Sequence, residues 1–311
     1  MTLRANTVVG RFAPSPTGRM HAGNIFAALM SWLIVKSQNG RIILRIEDLD
    51  VERSKKQWID QVQRDFESLG LTWDEGPYFQ QNRFDVYREA FEEAKRAGEV
   101  YPCFCTRADL HAASAPHRGE KAVYPGTCRK LAASEIECRK AERDPSWRIA
   151  VPDAEYALDD LVQGSFSQNL ARDCGDFVIR RSDGLYAYQL AVVVDDGEQG
   201  VNCIVRGMDL LASTPQQLFM QELLGFKHPT YAHVPLIVGE KDRRLSKRDR
   251  DAGFDELLAR FKSPEGVIGH IAAIVGLTDR EEPLTCEELL ESFDPKRVGS
   301  LFPDKVQILW Q

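Results

Sequence analysis

The sequence predicts an α/β protein whose larger part is a Rossmann-type domain, and three observations support this class. A strand, a helix and a second strand follow one another near the N-terminus. The segment 101–139 has no sustained periodicity and contains a cluster of cysteines, and helical patterns dominate from Ser213 onward. A strand–helix–strand order is typical of a parallel sheet. The predicted regions are a Rossmann-type domain at 1–100 and 140–235, an insertion at 101–139, and a polar loop with a short helical region at 236–311.

The opening unit leads from the short β-prone run "NTVV" through "GRFAPSPTGRMHAGN" into an apolar helix. The stretch Ile25 to Val35 is long enough for three helical turns. It is followed by Ile42 to Ile46, a nearly continuous apolar run of the kind that is buried in parallel sheets. This order predicts a βαβ unit with a right-handed crossover.

Two amphipathic helices are expected next. Apolar residues recur at helical spacing from Trp58 to Leu69 and stop at Gly70, which predicts a glycine C-terminal cap. A second helix is predicted over 83–97, ending at Gly98 in the same way. Two β-rich runs, the buried segment "LAVVV" and the strand "VNCIVRG" then complete the predicted sheet domain.

Composition indicates a soluble globular chain without a membrane anchor. The 311 residues are 43% hydrophobic, enough to form one large core or two modest ones. The longest apolar run, Ile25 to Val35, is well short of the ~20 residues that span a bilayer. The formal net charge of −7 argues against a surface coated with nucleic acid but permits a local basic groove. Seven cysteines, an odd number, suit a reducing cytoplasm and a metal site better than a disulfide framework.

The turn "PSPTGRMHAGN" before the first helix predicts a phosphate site. A helix N-terminus offers unpaired backbone N–H groups and a partial positive charge. Such turns are common, however, and a single histidine is more often a cap or a core residue. A second motif, "DRRLSKRDRD", supplies Ser246 and Lys247 on a polar loop. By itself a charge run is more often a solvated face, so the prediction depends on the two motifs together.

The pair "HAG" and "LSK" resembles the two signature motifs of the class I aminoacyl-tRNA synthetases. The segments "RFAPSPTGRMHAGN", "RIEDLD", "LGLTWDEGP", "DFVIRRSDG", "YQLAVVVDD" and "VRGMDLL" follow the word order of the glutamyl branch, from about Val8 to about Arg248. The resemblance implies a class I synthetase catalytic domain that activates L-glutamate with ATP, in which His21 and Lys247 are catalytic. The lysine would neutralise charge at the α-phosphate and the leaving pyrophosphate. Asn24 departs from the first signature, where a second histidine is usual, and Arg244 stands where the second signature often has lysine.

A glutamate pocket needs a guanidinium, an acid and a neutral hydroxyl. Side chains of these kinds lie at predicted strand ends or in adjoining turns, where ligands bind in open α/β sheets. Without the resemblance, pairing of Arg11 with Glu47 and packing of Tyr188 in the core would be the simpler interpretation. The implied glutamate-binding residues are Arg11, Phe12, Ala13, Pro14, Ser15, Glu47, Tyr188 and Arg206. The implied ATP-binding residues are Pro14, Gly18, His21, Gly23, Asn24, Leu245, Ser246 and Lys247. Mg²⁺ is expected with ATP, although no carboxylate stands out as its ligand.

Cys103, Cys105 and Cys128 predict one structural zinc ion in the insertion. Three thiolates in a loop-rich segment without an obvious core suit a tetrahedral centre that contributes folding energy. Three unligated buried cysteines are the alternative. On chemical grounds the fourth ligand is open among Tyr124, His111, His117 and Cys138. The resemblance points to Tyr124, a tyrosine four residues before the last cysteine. No role is assigned to Cys174, Cys203, Cys286, His228, His233 or His270.

The length of the chain bears on the second substrate. Only residues 249–311 follow the second signature, about half of a minimal ~100–150-residue domain, so no separate anticodon-binding domain is expected. The chain therefore resembles a truncated paralogue of glutamyl-tRNA synthetase that attaches glutamate to queuosine at the wobble position of tRNA(Asp). The expected partners are ATP, L-glutamate and a tRNA(Asp) anticodon stem-loop carrying queuosine, and we expect a cytoplasmic monomer. The alternatives are a truncated synthetase that charges a tRNA 3′ end and a catalytically idle zinc-containing RNA-binding module.

Overall fold

The computed structural model describes residues 7–106, 109, 123–239, 243–244, 253–302 and 306–310. The strands are β1 (Val9–Phe12), β2 (Arg41–Ile46), β3 (Glu75–Phe79), β4 (Val100–Cys103), β5 (Ser146–Ile149), β6 (Glu155–Asp160), β7 (Gly164–Asn169), β8 (Phe177–Arg180), β9 (Cys203–Gly207), β10 (Thr230–Val234), β11 (Leu236–Gly239), β12 (Arg243–Arg244) and β13 (Gln307–Leu309). The α-helices are α1 (Ala22–Lys36), α2 (Lys56–Ser68), α3 (Phe84–Ala97), α4 (Ala133–Glu142), α5 (Tyr188–Glu198), α6 (Thr214–Leu223), α7 (Phe254–Phe261), α8 (Pro264–Ile274), α9 (Cys286–Ser292) and α10 (Val298–Leu301). The predicted α/β class is confirmed.

The sheet that carries the first helix is parallel. β1 pairs with β2, and β2 pairs with β3, all in the same direction. β9 pairs with β10, again in parallel. Asn202 joins the two groups, because its backbone N–H donates to the Val9 carbonyl at 3.0 Å and its side-chain oxygen accepts from the Val9 N–H at 2.8 Å. The strand–helix–strand unit predicted at the N-terminus is therefore present, with parallel strands.

Helix α1 lies in the centre of the largest hydrophobic core and is buried along most of its length. Gly10 lets strand β1 approach it closely, since a Cβ at Gly10 would lie only 2.4 Å from Val35 Cγ2. The helices after residue 253 contribute to the same core. For example, the Phe302 and Phe26 rings meet edge to face with centroids 5.7 Å apart. The C-terminal helices therefore help to hold α1, whose N-terminus borders the site described below.

The two predicted glycine helix ends differ from each other. Gly70 has φ +73° and directly follows the last residues of α2, as expected for a left-handed glycine after a helix. The second predicted helix also ends where expected, with Gly98 as its C-cap residue, but this glycine has φ −135° and is extended, not left-handed. Gly98 is small for a packing reason instead: a Cβ there would lie 3.1 Å from Ile149 Cδ1 and 3.3 Å from Leu223 Cδ1.

In the part of the chain that the structure describes, every helix is too short or too polar to cross a membrane.

Candidate active site

A cleft of about 530 Å³ opens beside the ends of β1, β2 and β9 and the start of α1. Its volume falls within the usual range for small-molecule sites. The cleft is lined by all the described residues that the sequence assigns to glutamate or ATP: Arg11, Phe12, Ala13, Pro14, Ser15, Gly18, His21, Gly23, Asn24, Glu47, Tyr188 and Arg206. The structure thus brings these residues together in one cavity, and their individual roles stay predictions.

The N-terminus of α1 forms one wall of the cleft. His21 is the N-cap residue with an extended backbone, and the Asn24 side-chain oxygen accepts a hydrogen bond from the His21 backbone N–H at 3.2 Å. Asn24, which replaces the second histidine of the signature, therefore stabilises the start of the helix. Gly23 leaves room for the imidazole, because a Cβ there would lie 3.2 Å from His21 Cε1 and Nδ1. The positive end of the helix dipole accordingly borders the cavity, as a phosphate site requires.

Arg11 does not pair with Glu47, which was the simpler interpretation of the sequence. Arg11 Nε lies 3.4 Å from Asp196 Oδ1, and its Nη1 donates to the Val205 carbonyl at 3.1 Å. Glu47 Oε1 instead lies 3.4 Å from Arg45 Nη2. Arg11 and Glu47 are thus each positioned by residues that were not predicted to belong to the site.

Arg206 is held differently. Its Nε donates to His233 Nε2 at 3.0 Å, and its Nη2 donates to Thr214 Oγ1 at 2.9 Å. Its Nη1 is buried and has no hydrogen-bond partner among the described residues. A buried guanidinium N–H without a partner is costly unless a ligand satisfies it. Since Arg206 lines the cleft, a substrate carboxylate is the chemistry that suits this atom.

A buried charge network lies next to Glu47 and Arg11. Arg45 is fully buried, and its Nη1 donates to Asp196 Oδ1 at 2.8 Å while its Nε lies 3.6 Å from Asp195 Oδ2. Although burial alone would lower the pKa of Arg45, these carboxylates raise that pKa above its ordinary value. Burial raises the pKa of Glu47, against the opposing effect of Arg45 and Arg11. The network keeps carboxylates and guanidiniums in fixed positions behind the cleft.

Tyr188 begins α5 and lies on the cleft wall with 37% of its surface exposed, so it does not pack in the core. Desolvation raises the pKa of its phenol and Glu47 raises it further, whereas Arg206 and Arg11 act in the opposite direction. The hydroxyl therefore stays neutral at physiological pH and can donate a hydrogen bond to a carboxylate.

The second signature lies outside the described residues, and this applies to Leu245, Ser246 and Lys247. The described residues on either side of it pair with elements that border the cleft. Before it, Arg244 pairs with Val238 of β11, a strand whose first residues line the cavity. After it, Gly253 forms an isolated antiparallel bridge with His21.

Three sulfur atoms and one phenol oxygen form a compact cluster at the end of β4. The Sγ atoms of Cys103, Cys105 and Cys128 all lie within 4.8 Å of one another, and those of Cys105 and Cys128 are 3.6 Å apart. The Tyr124 hydroxyl lies 3.3 Å from Cys103 Sγ and 3.8 Å from Cys105 Sγ. Cys138 is exposed on α4 and is not in the cluster. His111 and His117 lie outside the described residues.

These four residues fit a tetrahedral metal centre. Zinc–sulfur bonds of about 2.3 Å place tetrahedral sulfur ligands about 3.8 Å apart, close to the spacing observed here. Burial and the neighbouring Cys103 raise the pKa of Cys105 to about 12. The protein alone therefore does not hold all three sulfurs as thiolates, and a cation at their centre would. A Cys₃ cluster that could bind a metal is thus present, as the sequence predicted.

The surroundings of the cluster differ from the expected coreless insertion. A small apolar group that includes Tyr101 and Phe104 packs around it. Arg148 of β5 donates from Nε to Cys103 Sγ at 3.3 Å, and its guanidinium lies 3.8 Å from the Tyr124 ring centroid. A positive charge over the phenol and beside the thiol stabilises anionic ligands. Arg148 could not be identified from the sequence, because nothing near it connects it with Cys103, 45 positions earlier.

His233 was also missed. The sequence analysis assigned it no role, yet it contacts Arg206 directly and is fully buried. A usable signal was present, since "YAHVPLIV" places one polar side chain within an otherwise apolar strand. Such a buried polar group requires a partner, although the sequence does not show which one.

Comparison with known proteins assigns the chain to a class of enzymes. Residues 7–304 match the family tRNA synthetases class I (E and Q), catalytic domain. The glutamyl-Q tRNA(Asp) synthetase of Symbiobacterium thermophilum is 45% identical over 302 residues, covering 93% of each chain. That of Geobacter sulfurreducens is 47% identical over 244 residues, covering 78% of this chain and 76% of the relative. The chain therefore belongs to the class I tRNA synthetases and, within that class, to the family of the glutamyl-Q tRNA(Asp) synthetases.

Glutamate–tRNA ligases are similar over a smaller share of their own length. That of Geobacter sulfurreducens is 38% identical and covers 96% of this chain, but only 64% of the ligase is matched. The crystal structure of a glutamate tRNA ligase from Elizabethkingia meningosepticum in complex with its amino acid superposes with a TM-score of 0.81 at 27% identity. The match covers 97% of this chain and 67% of that one.

Proposed function

We propose that this protein activates L-glutamate with ATP and transfers the glutamyl group to queuosine at the wobble position of tRNA(Asp). The observation that carries the proposal is the convergence, in one cleft, of a helix N-terminus, two buried arginines, an acid and a neutral tyrosine hydroxyl. The relatives named glutamyl-Q tRNA(Asp) synthetase match most of the chain. Neither alternative, a truncated tRNA-charging enzyme or an idle RNA-binding module, gains support from a specific contact.

In the first step an oxygen of the glutamate α-carboxylate attacks the α-phosphorus of ATP. The bond to the bridging oxygen breaks, and glutamyl-adenylate and pyrophosphate form. Positioning and charge stabilisation account for catalysis, so no covalent nucleophile is needed. Arg206 and Arg11 bind glutamate carboxylates, and Glu47 accepts from the ammonium group. His21 and the start of α1 bind phosphates together with Lys247. Mg²⁺, when bound with ATP, neutralises phosphate charge.

In the second step a hydroxyl of the queuosine cyclopentenediol attacks the carbonyl carbon of the adenylate. An ester forms, AMP leaves, and the hydroxyl proton is released. Single-stranded loop bases can be splayed out and stacked on aromatic side chains, and Tyr188 is a partly exposed aromatic residue that lines the cleft. We also propose that the Cys₃–Tyr cluster holds one structural Zn²⁺, through Cys103, Cys105, Cys128 and Tyr124.

Transfer of labelled glutamate to tRNA tests the proposed function. We expect glutamate-dependent exchange between pyrophosphate and ATP without any tRNA. We expect transfer to tRNA(Asp) that carries queuosine and to its isolated anticodon stem-loop, because recognition depends on the modified loop. The matched control is the same tRNA(Asp) without queuosine, which should accept no glutamate. Charging of unmodified tRNA(Glu), with none on queuosine-bearing tRNA(Asp), would contradict the assignment.

Lys247→Ala should slow glutamate activation by about 30- to 1000-fold. This corresponds to about 2–4 kcal/mol, the typical loss when one preorganised charge-stabilising group is removed. The measurement is the pyrophosphate–ATP exchange rate at saturating glutamate. Lys227→Ala is the matched control, because Lys227 is exposed and does not line the cleft. Wild-type exchange in Lys247→Ala would remove this residue from the mechanism.

A further inference from the structure

A buried chain of polar side chains runs from β6 to the cleft through Asp160, His233 and Arg206. His233 Nδ1 and Asp160 Oδ2 are 2.6 Å apart, and His233 Nε2 accepts from Arg206 Nε at 3.0 Å. The side chains of Asp160 and His233 are completely buried. The proposed mechanism does not use Asp160 or His233 directly. Any role of these two residues must therefore act through Arg206.

Asp160 determines which nitrogen of His233 carries the proton. Its carboxylate accepts backbone N–H groups of His233, Val162 and Gln163 at 2.9–3.1 Å, which hold it as a fixed anion. The Nδ1 atom of His233 must then donate to it. Nε2 is left with a lone pair and faces the N–H of Arg206. A doubly protonated imidazole would turn its Nε2–H toward the Arg206 N–H, so this contact favours neutral His233, whose Nε2 also lies 3.2 Å from the Thr214 hydroxyl.

The charges around His233 agree with the neutral form. Burial lowers the pKa of His233, and Arg206 and Arg11 lower it further, against the opposing effect of Asp160. Burial raises the pKa of Asp160, but its hydrogen bonds from His233 and the backbone outweigh this and lower it. The Tyr231 ring, stacked on the imidazole at 5.8 Å, adds no charge.

The consequence concerns the charge of Arg206. Neutral His233 accepts a hydrogen bond from Arg206 Nε, and the Thr214 hydroxyl accepts one from Nη2. Within the described part of the chain, no carboxylate lies within ion-pair distance of Arg206, whereas Asp196 lies 3.4 Å from Arg11. Arg206 is therefore fixed in orientation without being neutralised, and its unpartnered Nη1 is left for the cleft.

We propose that Asp160 and His233 are positioning residues that hold Arg206 as a preformed receptor for a carboxylate of the amino-acid substrate. The proposal rests on the proposed function, since it assumes that glutamate occupies the cleft. A neutral support is the arrangement that such a receptor needs, because an acid in the place of His233 would compete with the substrate for the same guanidinium. A rigid guanidinium also loses little conformational freedom when it binds a carboxylate.

The test separates glutamate from ATP. In pyrophosphate–ATP exchange, His233→Leu should raise the KM for glutamate by about 10- to 100-fold, the effect of losing one hydrogen bond to a charged group. The KM for ATP should stay within about twofold. His233→Gln, whose carbonyl can still accept from Arg206, should restore part of the affinity for glutamate. His228→Leu is the matched control, since this histidine is 41% exposed and outside the cleft.

Asp160→Asn gives a second readout that a purely structural role would not change. Its amide donates toward Nδ1, so the proton should move to Nε2. ¹⁵N spectra of histidine-labelled protein should show Nδ1–H at His233 in the wild type and Nε2–H in this variant, with a matching rise in the KM for glutamate. Asp159→Asn, on the exposed face of β6, should change neither.

The possible outcomes distinguish the two proposals. Unchanged KM for glutamate in both His233→Leu and Asp160→Asn, in an enzyme that activates glutamate, would overturn the positioning role alone. A parallel rise in the KM for ATP would overturn it too, because it would show general damage to the cleft. A wild-type protein that binds ATP but not glutamate would overturn the proposed function and this inference with it. If His233→Leu does not fold, Asp160→Asn, which preserves the side-chain volume, decides the question.

Discussion

Replacement of Arg45 by methionine should lower the free energy of unfolding by about 3–5 kcal/mol, the usual cost of removing one partner from a buried ion network. Arg45 is completely buried and contacts Asp196, Asp195 and Glu47. Methionine fills much of the space but leaves these carboxylates without their shared cation. Chemical denaturation at pH 7 is the measurement.

The control lies on the same strand. Arg41 pairs with Glu75 at the surface, with 43% and 35% of the two side chains exposed, and Arg41→Met should cost no more than about 1 kcal/mol.

The loss of stability in Arg45→Met should also shrink as the pH falls. Burial already raises the pKa of Glu47, and loss of the guanidinium removes the largest opposing effect. The folded state is therefore favoured at low pH and disfavoured as pH rises. A pH-independent loss equal to that of Arg41→Met would contradict the role of the network.

Local sequence was sufficient for the first wall of the cleft. A strand, a glycine- and proline-containing turn and an apolar helix occur in immediate succession, so the helix start at His21 and Asn24 could be predicted from neighbouring residues. The cysteine cluster could be predicted for a similar reason, since its thiols lie within one short segment. Even there, the resemblance to a family was needed to choose Tyr124 over two histidines.

The support behind the cleft could not be predicted, because its partners are far apart in sequence. Arg45 contacts Asp196, 151 positions later, and Arg11 donates to the Val205 carbonyl, 194 positions later. Arg11 and Glu47 carry opposite charges and lie at the ends of two predicted strands, so their pairing was the simplest expectation. In the fold, β9 and α5 lie beside Arg11 and supply its partners, the Val205 carbonyl and Asp196. Gly98 ends its helix as predicted, but the contacts with β5 and α6 that favour a small residue there come from distant segments and could not be predicted.

Cys128→Ser should abolish zinc binding, which we expect at about one ion per chain in the wild type. Cys128 is buried, with Sγ 3.6 Å from Cys105 Sγ, and its backbone N–H donates to the Tyr124 hydroxyl at 3.0 Å. Because ligand binding and local folding are coupled at structural zinc sites, the segment around the cluster should become sensitive to proteases. Metal analysis by mass spectrometry and limited proteolysis are the measurements.

Two comparisons make the zinc prediction specific. Cys138→Ser should retain the metal, because Cys138 is exposed and outside the cluster. Tyr124→Phe should weaken binding less than Cys128→Ser does, since a thiolate is the stronger zinc ligand and a phenol loses its proton only near pH ~10. Equal loss of zinc in both variants would contradict this ranking of the two ligands. Thiolates bound to zinc react slowly with thiol reagents. The zinc site would be refuted if protein purified without chelator contained no metal and all three thiols of the cluster reacted freely.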